Sequence, residues 1–479
     1  MNSFCSRRHF LKAGSFSLSS LALACLLRED GLLADPIKPI LAPQKFDLTP
    51  KTPPLKQTAK AMISLFMMGG PSHIDLFDPK PVMAKYDGQP FPGDIRYDNA
   101  AEASSKVFAS PFKFSKHGAS GIELSELLPG LAEIVDDITL IRSMKTGVNN
   151  HLESMLAMNS GTFRGGRPAL GSWLCYALGS ETRDLPAYVV LTDPRGLPQF
   201  ATQHWTSGWL PSIYQGTQVR AKEPRILNLD PADHLLGAAQ ARQLDFIQSL
   251  NREHLKEHPG ELDLEARIAS YELAARMQVS AKEALDISKE SDATRRLYGI
   301  DVEETRDYGT RCLIARRLVE RGVRFVQVIN VGQSWDHHGG LLKALPKSCR
   351  AVDQPAAALV KDLKGLGLLE STVVHWGGEM GRLPVLQNDT GRDKVGRDHN
   401  THGFSMWLAG GGFKRGFAFG ETDDWGHQAV KDVVHHYDYH ATLLRLFGFE
   451  HDKLVYQRNG QELSLTNKQD ARVVREIMA

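Results

Sequence analysis

Nine of the chain's eighteen histidines fall between residues 330 and 440: His337, His338, His375, His399, His402, His427, His435, His436 and His440. Asp336, Glu379, Asp398 and Asp438 share that segment. Three clusters stand out: Trp335-Asp336-His337-His338-Gly339-Gly340, Gly377-Gly378-Glu379-Met380-Gly381-Arg382, and Arg397-Asp398-His399-Asn400-Thr401-His402-Gly403-Phe404. Imidazole and carboxylate donors together suit Zn, Mn or Fe, and carboxylate-rich sites suit Mg or Ca. The chemistry implied is that of one or two divalent ions, with Asp336, His338, Glu379, Asp398, His399 and His402 as candidate ligands. Arg382 and Arg397 flank the clusters and can grip a sulfate or phosphate oxygen bidentately, or serve as ion-pair partners on the rim. His435 and His436 beside Asp438 read as groups that orient a ligand. Trp205, Trp209 and Tyr214 can stack on a sugar or pack in a core.

Elements must hold these clusters in place. Ala61 to Met68 is a short apolar run stopped by Gly69-Gly70-Pro71, the pattern of a buried strand that ends at a functional edge. Runs at 138–141, 188–191, 324–329 and 372–376 repeat it, and helical segments such as 353–367 lie between several of them. Strands alternating with helices predict an α/β fold, a doubly wound and mostly parallel sheet covered on both faces. Two of the clusters follow strand ends, where such sheets place their ligand crevices. From about 233 to 317 the composition turns to Ala, Leu, Glu, Arg and Lys, which predicts a helical insertion.

Composition bounds the rest. Hydrophobic residues at 42% and charged residues at 24% describe an ordinary globular chain, and a formal charge of +1 gives no field for nucleic acid or an acidic membrane. The five cysteines are scattered without a CxxC pair, so no disulfide framework is expected. Ser6-Arg7-Arg8-His9-Phe10-Leu11-Lys12 before a weakly apolar stretch reads as a twin-arginine signal over residues 1–34. A Pro-rich linker follows at 35–60, and the folded body spans 61–479. The expected location is the periplasm or outside the cell, after passage through the twin-arginine export machinery. Cys25 offers a poor lipobox, and no segment of the mature chain is apolar enough to span a bilayer.

With these residues in view, the sequence resembles the DUF1501 proteins, an exported group of the alkaline phosphatase/sulfatase superfamily. The resemblance runs from Gly69-Gly70-Pro71-Ser72-His73-Ile74-Asp75 to Tyr456-Gln457-Arg458-Asn459-Gly460. Residues 353–374 look like the sulfatase helix and strand before a metal turn. That alignment puts Glu379 where the family carries an Asp ligand, and Met380 where it carries a His. Asp336, His338 and His402 are similar to further metal positions, and Asp75 stands where the superfamily places a metal-binding carboxylate. Residues 149–161 align with the sulfatase nucleophile helix, but His151 replaces the Cys that becomes formylglycine. His151 is therefore a metal ligand, a general base or a nucleophile, with Ser72 as a rival nucleophile. The resemblance implies an exported metal-dependent hydrolase of a sulfated or phosphorylated small molecule or glycan, the metal being Zn, Ca, Mg or Mn. The loss of the formylglycine Cys and of the His at Met380 supports an alternative, a non-catalytic exported binding or assembly protein on the same fold.

Overall fold

The computed structural model describes residues 47–95, 104–227, 229–230, 238–258, 262–387, 391 and 394–479. The expected signal and the first part of the expected linker lie outside the described residues. Residues 47–60 form neither helix nor strand and run along the body, where Thr58 N donates to Leu446 O and Lys51 Nζ to Tyr176 O. Among the described residues no helix is long and apolar enough to cross a membrane.

The apolar runs become the centre of a nine-stranded sheet. Its strands are β1 (Ala61–Phe66), β2 (Ile138–Lys145), β3 (Tyr188–Thr192), β4 (Thr217–Arg220), β5 (Phe325–Ile329) and β6 (Thr372–Gly377). A two-stranded ribbon follows, β7 (Gly381–Arg382) with β8 (His399–Asn400), and then β9 (Phe404–Ala409), β10 (Phe417–Phe419) and β11 (Val434–His435) rejoin the sheet. The order is β10-β2-β9-β6-β1-β5-β3-β4, with β11 beside β2. Every pairing in the sheet is parallel except those of β9 with β2 and β6. The fold is therefore α/β with a mostly parallel central sheet, as the strand pattern predicts.

Alternation along β1 shows why the strands read as continuous apolar runs. Ile63 and Leu65 enter one core, Met62 and Phe66 the other, so both faces are covered, and the one polar residue of the strand, Ser64, is paired with His375. The longer helices are α1 (His151–Ser160), α2 (Leu170–Leu178), α3 (Ala238–Glu257), α4 (Leu262–Leu285), α5 (Glu303–Glu320), α6 (Leu341–Gly365) and α7 (His436–Leu446). Residues of α5 and α6 fill the first core, and those of α1, α2 and α7 the second. The helical stretch expected at 233–317 contains α3, α4 and most of α5. Of these, α5 is a covering layer of the sheet, because Cys312, Leu313, Ile314 and Ala315 are wholly buried against it.

Candidate metal centre

Three different elements carry one set of donors to the carboxyl edge of the sheet. The loop after β5 brings Asp336 and His338, the first residue of α1 is His151, and the ribbon strand β8 begins with His399. Asn150 starts α1 by accepting a hydrogen bond from Leu152 N at 2.9 Å, which fixes where His151 leaves the helix. Gly69 makes the close approach of the β1 turn to the Asp336 loop feasible, since a Cβ there would lie 2.6 Å from Asp336 N and its φ is +106°.

The donor atoms of His151, Asp336, His338 and His399 lie within 4.8 Å of one another. Asp336 Oδ1 stands 2.9 Å from His338 Nε2 and 3.4 Å from both His151 Nε2 and His399 Nε2. Two ligands on one tetrahedral Zn, each about 2.1 Å from it, are themselves about 3.4 Å apart. The spacing fits one ion.

The partners of the other ring nitrogen make the stronger case. His151 Nδ1 meets Glu379 Oε1 at 2.6 Å, His399 Nδ1 meets Asn149 O at 3.1 Å, and His338 Nδ1 meets Gln387 Oε1 at 3.1 Å. Each of those oxygens accepts, so each Nδ1 carries a proton, and a ring that gives up its Nε2 proton turns that lone pair inward. His338 Nε2 and His399 Nε2 then face each other at 3.0 Å, a contact that requires a shared proton or a shared cation. His151 Nε2 is buried and has no hydrogen-bond partner. Three lone pairs and one carboxylate aimed at one point form a donor set for a divalent ion. Three imidazoles among four ligands favour Zn, Mn or Fe over Ca and Mg.

Electrostatics agrees with this in the metal-free protein. Burial alone would lower the pKa of His151, but the adjoining Asp336 and Glu379 carboxylates outweigh it and push the ring up to about 9. Burial would raise Asp336, yet its three histidines and Arg382 hold it well below the usual carboxylate range. Asp336 is thus ionised wherever the protein is folded, and His151 carries a proton that a metal must displace.

The other expected site residues take different places. Glu379 stands behind His151 instead of binding metal directly, since its carboxylate also accepts from Gly69 N at 2.9 Å. Asp75 is not a ligand: fully buried, it is gripped by Arg397, with Nε to Oδ2 at 2.8 Å and Nη2 to Oδ1 at 3.0 Å. Ser72 donates to the same carboxylate at 2.6 Å and is buried, so its hydroxyl is out of a substrate's reach. Arg397 uses its remaining donors on Phe108 O and Leu383 O. Arg382 is equally sealed, donating to Asp336 Oδ1 at 2.6 Å, Gly70 O at 2.9 Å, Arg397 O at 3.1 Å and Gly69 O. Neither guanidinium is left to hold an oxyanion. Asp398 lies at the edge of the cluster, 3.9 Å from His338 Nδ1, and accepts from His399 N. His402 lies outside the four, its ring edge-on to His427.

Asp438 caps α7 by accepting from His435 N at 3.0 Å, and neither His435 nor His436 is among the four clustered donors. Trp205 and Tyr214 are core residues, and Trp209 stacks on Tyr456. Gln387 and the Asn149 carbonyl escape sequence reasoning, because neither has a pattern that marks it. A second group of three, His254 and Glu257 on α3 with His258 just beyond its end, lies toward the surface.

Two expectations separate these roles. Glu379→Gln is expected to weaken metal affinity about 10- to 100-fold, as loss of a group behind a ligand does, in a competitive chelator titration. Asp75→Asn is expected to cost about 3 kcal/mol or more in denaturant unfolding by leaving Arg397 buried and unpaired, with metal content unchanged. A metal-free Asp75→Asn protein would return Asp75 to the ligand set.

A family model described as "Protein of unknown function (DUF1501)" matches residues 59–478. No curated protein matches the chain. Among solved structures, the chain is similar to PsFucS1 sulfatase from Pseudoalteromonas sp., with 12% identity over 82% of this chain and 68% of that one and a TM-score of 0.35. A protein in the alkaline phosphatase superfamily from Vibrio parahaemolyticus shares 10% identity over 96% and 79% of the two chains, also with a TM-score of 0.35. The lipoteichoic acid synthase LtaP from Listeria monocytogenes shares 9% over 88% and 79%, with a TM-score of 0.34.

Proposed function

For a chain that belongs to the DUF1501 family and carries this donor set, we propose an exported metal-dependent hydrolase of sulfate or phosphate esters. The ester is borne by a small molecule or a glycan. The observation that carries the reading is the convergence of three tautomer-fixed imidazoles on the Asp336 carboxylate. One ion, Zn or Mn by donor type, would be held by His151, Asp336, His338 and His399. Such an ion supplies Lewis acidity, polarising an ester oxygen and acidifying water.

The chain's own residues set the remaining terms. His151 has one nitrogen bound to Glu379 and the other turned into the cluster, which leaves it no free nitrogen for nucleophilic attack or proton abstraction. With Ser72 buried in its contact with Asp75, the nucleophile in this reading is water. The His338 side chain is 39% exposed while those of His151 and His399 are 8% and 12%, so the ester approaches on the His338 side. Export rests on the leader: changing Arg7 and Arg8 to Lys is expected to keep the protein in the cytoplasm in a fractionation experiment.

One observation favours the second reading, a binding or assembly protein with a structural metal. Four protein donors complete a tetrahedron, as in structural Zn sites, whereas catalytic sites keep a position open. Assaying metal-loaded protein on p-nitrophenyl sulfate and p-nitrophenyl phosphate decides between them. Turnover that chelation abolishes and Zn or Mn restores supports the hydrolase. A fully loaded protein without turnover on either ester moves the assignment to the structural reading.

A further inference from the structure

Ser334 and Trp335, just before the ligand Asp336, line a separate crevice of about 480 Å³. It opens where the parallel strands β3 and β5 end, at Asp193 and Asn330. Carboxyl ends of such strands are where open α/β sheets bind ligands, and the volume lies in the range of small-molecule sites.

The inner charges of this crevice are satisfied. Arg311, wholly buried, donates to Ile329 O at 2.7 Å and Asn330 Oδ1 at 3.0 Å, and Asp193 is held by Arg195 through contacts of 2.9 and 2.8 Å. The walls are different. Helix α5 presents Glu304 and Asp307, and α6 presents Lys347 and Arg350. Among the described residues none of these four side chains makes an ion pair or hydrogen bond, although opposite charges line the same space and Asp307 faces the charges of Arg195 and Arg311. The buried hydroxyl of Tyr308, another lining residue, also has no partner.

We propose that this crevice binds a small zwitterion of the short-peptide class, with its ammonium toward Glu304 and Asp307 and its carboxylate toward Lys347 and Arg350. A simple anion would gain at α6 and be repelled at α5, and a simple cation the reverse. Only a molecule carrying both signs gains at both walls. The site is independent of the metal reading, since no metal donor lines it.

Alanyl-alanine is the probe, titrated into the full chain by calorimetry and by ligand-observed NMR. Saturable binding is expected, with N-acetyl-alanyl-alanine and alanyl-alanine amide each about tenfold weaker because each loses one charge-assisted contact. The Asp307→Asn variant is expected to shrink the penalty for acetylation and leave that for amidation, and Lys347→Gln the reverse. Both positions are exposed helix sites, so the variants keep the fold. Absence of saturation through the millimolar range, or equal binding of the free and blocked peptides, overturns the proposal.

Discussion

Between pH 7 and pH 5 the protein is expected to lose about 6 kcal/mol of folding stability to three histidines that the metal centre does not use. His375, His436 and His440 lie inside the second core, and burial pushes their pKa values down to about 3, 3 and 4. In the folded protein they are neutral. An unfolded chain protonates each near pH 6.5, so below that pH the unfolded state binds more protons and stability falls with pH. Their contribution is intact above 6.5 and drains as pH drops toward the folded values. Each group costs about 1.4 kcal/mol per pH unit, hence about 2 kcal/mol apiece at pH 5.

Asp353 works the other way. Burial raises its pKa to about 6 despite hydrogen bonds from Gly130 N and Leu131 N, so it gains about 1 kcal/mol over the same interval. The histidines win by several kcal/mol, a large part of a typical domain's stability, and acid unfolding is expected near pH 5. Urea denaturation at half-unit pH steps measures the slope. A His375→Asn variant, which leaves a small polar group beside Ser64, is expected to reduce the slope between pH 6 and 5 by about one third. An unchanged slope would show that His375 is not held neutral.

Removing a single metal ligand is the second large effect. His399→Ala deletes one of four donors and exposes the His338 Nε2 it faces at 3.0 Å. The expected result is loss of the ion together with the stability that binding confers. With free metal at a thousand times its dissociation constant, that stabilisation is about 4 kcal/mol. The wild-type melting temperature is then expected to fall on adding chelator to the level of the His399→Ala protein, which chelator leaves unchanged. Equal chelator responses in the two proteins would remove His399 from the site.

Much of this architecture is legible in the sequence because the sheet is buried on both faces. The five apolar runs at 61–68, 138–141, 188–191, 324–329 and 372–376 all become central strands. Helix α6 is less legible: it starts at Leu341, well before the expected 353, and carries Pro346 and Pro355 inside it. Proline removes one donor and reads as a breaker, yet burial of Leu345, Cys349 and Val352 against the sheet holds the helix through both positions.

At the site, Asp336, His338 and His399 are visible as local clusters, and His151 becomes visible through its position in the family resemblance. The assignments of Asp75, Glu379, Arg382 and Arg397 depend on pairings that sequence does not display. Asp75 and Arg397 are 322 positions apart, and only the fold shows that their charges neutralise each other in a sealed interior. Glu379 is a carboxylate in a ligand-like turn. Its distance from the cluster, one imidazole back, is set by the entry of α1 and not by any motif.

The most direct test of the metal centre is the metal content of the protein purified without chelators, read by elemental mass spectrometry. One equivalent of Zn or Mn per chain is predicted, falling to a trace in an Asp336→Ala, His338→Ala double variant that remains folded by circular dichroism. A wild-type protein without stoichiometric metal, or a double variant that keeps its full equivalent, would contradict the assignment of His151, Asp336, His338 and His399 as the metal centre.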